Sequence, residues 1–74
     1  MSTATLVSIT VNGEARDVPL GLALPDLLRL LDLDPEQPGI AVAHNGTVRR
    51  RADWPATPVE AGDEIEIITA TQGG

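Results

Sequence analysis

The chain has 74 residues, which allows one domain, and 42% of them are hydrophobic, which is enough for a single core. Its net charge is −6 and it has no lysine, so we expect it to bind neither nucleic acid nor anionic membranes and to favour a partner with a basic surface. The absence of cysteine excludes disulfides and thiolate metal sites. We expect a cytoplasmic protein, because the chain lacks cysteine, shows no targeting signal and has no apolar run long enough to span a bilayer.

The first predicted elements are two strands joined by a tight turn. Residues 6–11 alternate in the way that is typical of a strand with one buried face. Asn12-Gly13 follows, and this dipeptide favours a type I′ hairpin turn, which needs positive φ at both central residues. The second strand is predicted over residues 15–19, with Val18 as its core contact.

The period then changes to that of a helix, which we predict over residues 23–33. Pro25 suits the first helical turn, where its missing N–H costs nothing. Asp34-Pro35 is predicted to end the helix. The apolar residues that form one stripe along this helix are Leu24, Leu27, Leu28 and Leu31.

A second hairpin is predicted after the helix. Residues 40–45 read as a strand, Asn45-Gly46 as another tight turn, and residues 47–50 as a short returning strand. Residues 52–59 contain two prolines, so they predict an irregular crossing with one 3₁₀ turn rather than a central strand.

The last predicted strand covers residues 64–70, after a turn at residues 60–63, and Ile65 and Ile67 should face the core. A helix among hairpins must cover one face of a sheet, which is an α+β arrangement. We therefore predict a domain over residues 1–70. Residues 71–74 have nothing to bury and are predicted to be a flexible tail.

Few side chains suggest an ordinary active site. The serines lie outside any nucleophile motif, and His44, the only histidine, is interpreted as a surface residue. Asp32, Asp34 and Glu36 alternate like calcium ligands, but Gln37 stands where such a loop needs glycine. We interpret these carboxylates as solvated and predict no metal site.

Three further features are interpreted as structural. The run of arginines at residues 49–51 lacks interleaved aromatic residues, so it predicts a solvated strand end, with docking to an acidic partner surface as the alternative. Trp54 is predicted to cover the edge of the core and to donate its indole N–H to a backbone acceptor or to solvent. Gly62-Asp63 is predicted to be a structural turn.

The C-terminus differs from the rest of the chain, because it ends in Gly73-Gly74. Two residues without side chains can enter a narrow channel of another protein, and residues 71–74 would extend about 13 Å. The carboxylate of Gly74 would then reach a partner's active site. A carboxylate is a poor electrophile, so a partner must first join it to AMP, using ATP, before sulfur can displace the adenylate. A frayed tail without function is the alternative reading.

Several short segments, in this order and spacing, give the chain a resemblance to a known family over residues 7–74. The segments are Val11-Asn12-Gly13-Glu14, Leu27-Leu28, residues 40–45 (IAVAHN), Arg51 with Trp54, residues 62–68 (GDEIEII) and residues 69–74 (TATQGG). The chain resembles the ThiS family, the sulfur carriers of thiamine (thiazole) biosynthesis. That resemblance implies a β-grasp (ubiquitin-like) fold, with a mixed sheet of four to five strands and one helix across one face.

The same resemblance implies a carrier rather than an enzyme. Gly74 would be adenylated and converted to a thiocarboxylate, with Gly73 and Gln72 as the supporting tail positions. The implied partners are an E1-like adenylating enzyme, which uses ATP, and thiazole synthase, which receives the sulfur. No bound cofactor is expected.

Three alternatives stay open from the sequence. The small subunit of molybdopterin synthase shares the fold and the Gly-Gly end, but its relatives tend to be rich in phenylalanine, which this chain lacks. A ubiquitin-like protein modifier would use the same adenylate to form an isopeptide bond. A β-grasp binding module would use no carboxylate chemistry.

A partner surface is predicted on the sheet face opposite the helix. Glu64, Glu66 and Ile68 should point outward there, since Ile65 and Ile67 point inward. Ile68 would anchor the partner, and the two glutamates would meet basic residues.

Overall fold

The computed structural model describes residues 5–70. The elements in that range are β1 (Leu6–Val11), β2 (Glu14–Pro19), α1 (Leu24–Leu30), β3 (Ile40–His44), β4 (Thr47–Arg49), a 3₁₀ helix (Arg51–Ala56) and β5 (Glu64–Thr69). The strand bounds agree with those predicted to within one residue, and the 3₁₀ turn lies where the prolines indicated it. Neither helix in this range has the length and apolar run that a membrane crossing needs.

The strands form one mixed sheet in the order β2-β1-β5-β3-β4. β1 and β5 run parallel at its centre, whereas β2, β3 and β4 each pair antiparallel with a neighbour. The buried face of α1 lies on one side of this sheet, in a single core with Ile9, Ile65 and Ile67. This arrangement confirms the predicted β-grasp fold.

The two Asn-Gly turns adopt the backbone that the sequence predicted. Asn12 and Gly13 have φ values of 51° and 83°, and Asn45 and Gly46 have the same two values. Positive φ at both central residues matches the right-handed twist of the flanking strands, as a type I′ turn requires. Each turn thereby fixes the register of its hairpin.

The core is aliphatic apart from one indole. Trp54 is buried, and its Nε1–H donates to the carbonyl of Arg49 over 2.9 Å, so the prediction for this side chain is confirmed. The 3₁₀ helix thereby adds Trp54 to the core. The remaining buried apolar residues are Ile9, Val11, Val18, Leu24, Leu27, Leu28, Ile40, Val42, Val59, Ile65 and Ile67.

The prediction that the helix continues to residue 33 is wrong, because α1 ends at Leu30. Asp32 takes a left-handed conformation with φ 63°, and its N–H donates to the Arg29 carbonyl over 3.0 Å. The N–H of Leu33 donates to the Leu28 carbonyl over 2.8 Å, which completes a Schellman motif. Turning the chain back in this way packs Leu33 against the core.

Candidate functional site

The predicted chemistry lies beyond the end of β5. Gln72, Gly73 and Gly74 lie outside the described residues, as does the predicted division between a domain and a tail at residue 71. The structure does describe Ala70, which precedes residues 71–74. Its N–H donates to the Gly39 carbonyl over 2.7 Å, so a backbone hydrogen bond fixes the point from which residues 71–74 continue.

Gly39 lets the chain approach Ala70 closely. Its φ is +85°, and a Cβ at this position would lie 3.3 Å from the Cβ of Ala70. A larger residue here would be strained, because side chains disfavour positive φ, and its Cβ would press on Ala70. Glycine at position 39 therefore allows the hydrogen bonds between β3 and β5 to continue past the end of β5 to Ala70.

Arg51 holds the segment before Gly39, residues 35–37, by hydrogen bonds to its backbone. Its guanidinium donates to the carbonyl of Pro35 and, over 2.7 Å, to that of Gln37, and it lies 4.6 Å from the centre of the Trp54 ring. Arg51 is exposed, as predicted for the arginine run, but it also has a structural role. The sequence alone does not reveal this role, because the carbonyls that Arg51 binds lie 14 and 16 residues earlier in the chain.

The three residues predicted to meet a partner point away from the core. Glu64 and Glu66 are exposed, and Ile68 is 64% exposed. In the sheet register, Ile68 lies opposite Ala41, and Ala43 lies between Glu66 and the exposed Val48. Together Ala41, Ala43, Val48 and Ile68 form an apolar area that we call the outer patch. Of these four residues, only Ile68 could be predicted from the sequence, because the positions of the other three depend on strand order.

His44 is not the surface residue that the sequence indicated. Its Nε2 lies 2.7 Å from a carboxylate oxygen of Asp63, and both side chains are largely buried. Asp63 also accepts hydrogen bonds from the Asn45 side chain over 3.1 Å and from the Glu60 N–H over 2.9 Å. The structural role predicted for the Gly62-Asp63 turn is confirmed, and its carboxylate joins the second hairpin to the start of β5.

The environment of Asp63 favours its charged form. Burial by itself raises the pKa of this carboxyl, but the hydrogen bonds from Glu60, His44 and Asn45, with the charge of His44, outweigh it and hold the pKa below its ordinary value of 3.8. A lowered pKa in the fold means that ionised Asp63 stabilises the folded state. This contribution is present above the ordinary pKa and is lost as the pH falls through the lowered one.

We expect Asp63→Asn to lower the free energy of unfolding near pH 6 by about 1–3 kcal/mol, because donors at Glu60 and Asn45 lose a charged acceptor. The difference between variant and wild type should shrink as the pH is lowered below 3.8, where the wild type also loses its carboxylate. Urea unfolding from pH 3 to pH 6 measures both. Asp17→Asn, at an exposed position of β2, is the control. A constant difference at every pH would contradict the role given to Asp63.

The carboxylates after the helix take part in local contacts. Asp34 accepts a hydrogen bond from the N–H of Glu36 over 2.9 Å, which forms a turn. Among residues 5–70, no group of three or more histidine, aspartate or glutamate side chains is arranged to hold a metal ion.

Comparison with known proteins finds a family model, a relative and a solved structure that are similar to this chain. A family model described as the ThiS family matches residues 9–74. An uncharacterized protein of Porphyra purpurea, ycf40, is 35% identical over 68 residues, which are 92% of this chain and 93% of that protein. The crystal structure of a thiamine biosynthesis protein (ThiS) from Geobacter metallireducens superposes with a TM-score of 0.77 at 31% identity, covering 92% of this chain and all of the other.

Proposed function

This chain belongs to the ThiS family, and on that premise we propose that it carries sulfur on the carboxylate of Gly74 for thiazole formation in thiamine biosynthesis. The observation that carries the proposal is the extent of the family match, which continues to residue 74 and so includes Gly73 and Gly74. The Geobacter relative is named for thiamine biosynthesis, which favours that pathway. In this role the chain is a co-substrate of other enzymes.

The proposed reaction has two steps at one carbon atom. An E1-like adenylating enzyme joins the Gly74 carboxylate to the α-phosphate of ATP and releases pyrophosphate. A sulfur nucleophile at the oxidation level of sulfide then attacks the carbonyl carbon and expels AMP, and loss of its proton leaves a C-terminal thiocarboxylate. Thiazole synthase is the proposed acceptor of the sulfur. ATP is consumed by the partner, and this chain needs no cofactor of its own.

The site of attachment explains how a protein without cysteine can carry sulfur. The sulfur replaces an oxygen of the main chain, so no side-chain thiol is needed. Gly73 and Gly74 have no side chains to block a narrow active-site channel, and four extended residues reach about 13 Å. The hydrogen bond between Ala70 and Gly39 provides a fixed origin for that reach. We place the reaction in the cytoplasm, which the absence of cysteine fits.

The proposal is tested by intact-protein mass spectrometry after incubation with the adenylating enzyme, ATP and a sulfur donor. We expect one oxygen-to-sulfur exchange, localised to Gly74 by fragmentation. A conjugate to lysines of other proteins would instead identify a protein modifier. Loss of thiamine synthesis on deletion, rather than loss of molybdopterin, would identify the pathway. An unchanged mass in all conditions would contradict the carrier role.

A separate prediction concerns docking of the partner enzymes. We expect Ile68→Asp to weaken binding to the adenylating enzyme by about tenfold or more, because it replaces the 64% exposed Ile68 of the outer patch with a charge. Leu6→Asp is the matched control. Leu6 is exposed and similar in size to Ile68, but it lies at the opposite end of the sheet. Calorimetric titration measures both variants, and equal affinities for them would place docking elsewhere.

A further inference from the structure

Asn12 forms side-chain hydrogen bonds to a strand 55 residues away in the sequence. Its Oδ1 accepts the N–H of Ile67 over 2.8 Å, and its Nδ2 donates to the carbonyl of the same residue over 3.2 Å. Its backbone N–H donates to the Ile65 carbonyl over 2.9 Å. One residue of the first hairpin turn therefore holds β5 at three backbone atoms.

The strand pairing explains why a side chain is needed at this place. β1 is paired with β5 only at Thr10 with Glu64 and at Val11 with Ile65, because the hairpin then turns the chain toward β2. A side-chain amide has the same donor and acceptor as a peptide group. Asn12 therefore continues the parallel ladder by one more position after the β1 backbone has left it.

This contact lies next to the start of the tail. On the other edge of β5, the backbone of β3 is paired up to Ile40 with Thr69, and Gly39 bonds Ala70. On the β1 edge, the Asn12 amide bonds Ile67, three residues before Ala70. Without the amide, the end of β5 would be held from one edge only and could pivot about that edge.

We propose that Asn12 is a positioning residue for the reacting terminus: its side-chain amide fixes the end of β5, so that residues 71–74 start from the position that the adenylating enzyme requires. The inference rests on the proposed function. Because the reaction needs the carboxylate within reach of the ATP phosphate, a shift of Ala70 moves the point from which residues 71–74 must reach that phosphate. Asn12 would thus act through β5, without contact with the reacting atoms.

Asn45 provides a matched control within the same fold. It also precedes glycine in a tight turn, has the same φ of 51°, and bonds β5 through its side chain. Its Oδ1 accepts the N–H of Glu64 over 2.8 Å, at the start of the strand. Glycine at either position accepts positive φ, so Asn12→Gly and Asn45→Gly keep their turns and remove only the amides.

The test compares these variants of the full chain in adenylation by the E1-like enzyme with ATP, measured as pyrophosphate release. We expect Asn12→Gly to lower kcat by about tenfold or more, with KM little changed because the outer patch is intact. Asn45→Gly should keep the wild-type kcat even if it loses as much stability in urea. Asn12→Asp keeps the acceptor and loses the donor, so its kcat should lie between those of wild type and Asn12→Gly.

A second readout does not depend on activity. Amide hydrogen exchange at Ile67 and Ala70 should accelerate in Asn12→Gly and not in Asn45→Gly. If the wild type is adenylated and both glycine variants keep its kcat, or lose it equally, the positioning role is overturned while the proposed function stands. If the wild type itself is not adenylated by any partner tested, the proposed function fails and this inference fails with it.

Discussion

Adding one alanine after Gly74 is expected to abolish sulfur loading, which is the largest functional effect that we expect of any change to this chain. The extension moves the terminal carboxylate one residue further and gives that residue a methyl side chain. The acid that an adenylating enzyme meets is then both misplaced and too wide for a channel shaped to glycine. Pyrophosphate release with the extended chain should fall at least about 100-fold.

The matched control carries the same alanine before Met1. It has the same added mass and should be loaded at the wild-type rate, with an unchanged urea midpoint for both extended proteins. The comparison also separates the remaining alternative, because a β-grasp binding module without carboxylate chemistry would bind its partner equally well with either extension. Efficient loading of the C-terminally extended protein would contradict the proposed role of Gly74.

Leu28→Ala is expected to be the most destabilising change, with a loss of about 2–5 kcal/mol in the free energy of unfolding. Leu28 is 1% exposed and lies at the centre of the stripe by which α1 covers the sheet. Removing its methyl groups leaves a cavity that a tightly packed core does not refill. Urea unfolding followed by circular dichroism measures the change.

The effect should be large relative to the total stability. A domain of this size buries only about 60% of its unfolded surface, and ordinary domains have about 5–15 kcal/mol in all. Leu30→Ala is the control on the same helix, since Leu30 is 50% exposed and its truncation should cost about 0.5 kcal/mol or less. Equal losses for the two leucines would show that the buried stripe has been assigned wrongly.

The strands, turns and core could be predicted from the sequence because each depends on neighbouring residues. Alternation over residues 6–11 and 64–69 places Ile9, Ile65 and Ile67 inward, and that is where they lie. The two Asn-Gly pairs predict their turns for a purely local reason, the positive φ that both central residues must adopt. The end of α1 was missed, because the Schellman motif uses Asp32 rather than the glycine that usually signals it.

The polar contacts of Asn12 and His44 could not be predicted, because they join residues that are far apart in the chain. The partner of Asn12 is 55 residues away, and the pairing of His44 with Asp63 spans 19 residues. These side chains are polar and lie in or beside turns, so the sequence predicts that they are solvated. Only the order of the strands brings them together. Each of them satisfies a backbone or side-chain group near an end of β5, which no local pattern records.

The candidate site, too, could be predicted from the sequence only in part. Glu64, Glu66 and Ile68 could be assigned to the outer face from alternation alone, whereas Ala41, Ala43 and Val48 needed the register of three strands. The reacting residue Gly74 was assigned from the terminal glycine pair and the family resemblance, and it lies outside residues 5–70. Its role stays a prediction that loading experiments test.

The two Asn-Gly turns also affect the chemical stability of the protein. In such a pair the glycine nitrogen can attack the asparagine side-chain carbon, expel ammonia and close a five-membered ring, which makes asparagine a thermolabile residue. An amide held by Ile67 or Glu64 is not free to take up the geometry of that ring. We therefore expect the central strand to slow deamidation at both turns. Hydrolysis of a closed ring at residue 12 through its side-chain carbonyl would leave an aspartate carboxylate facing the carbonyl of Ile67.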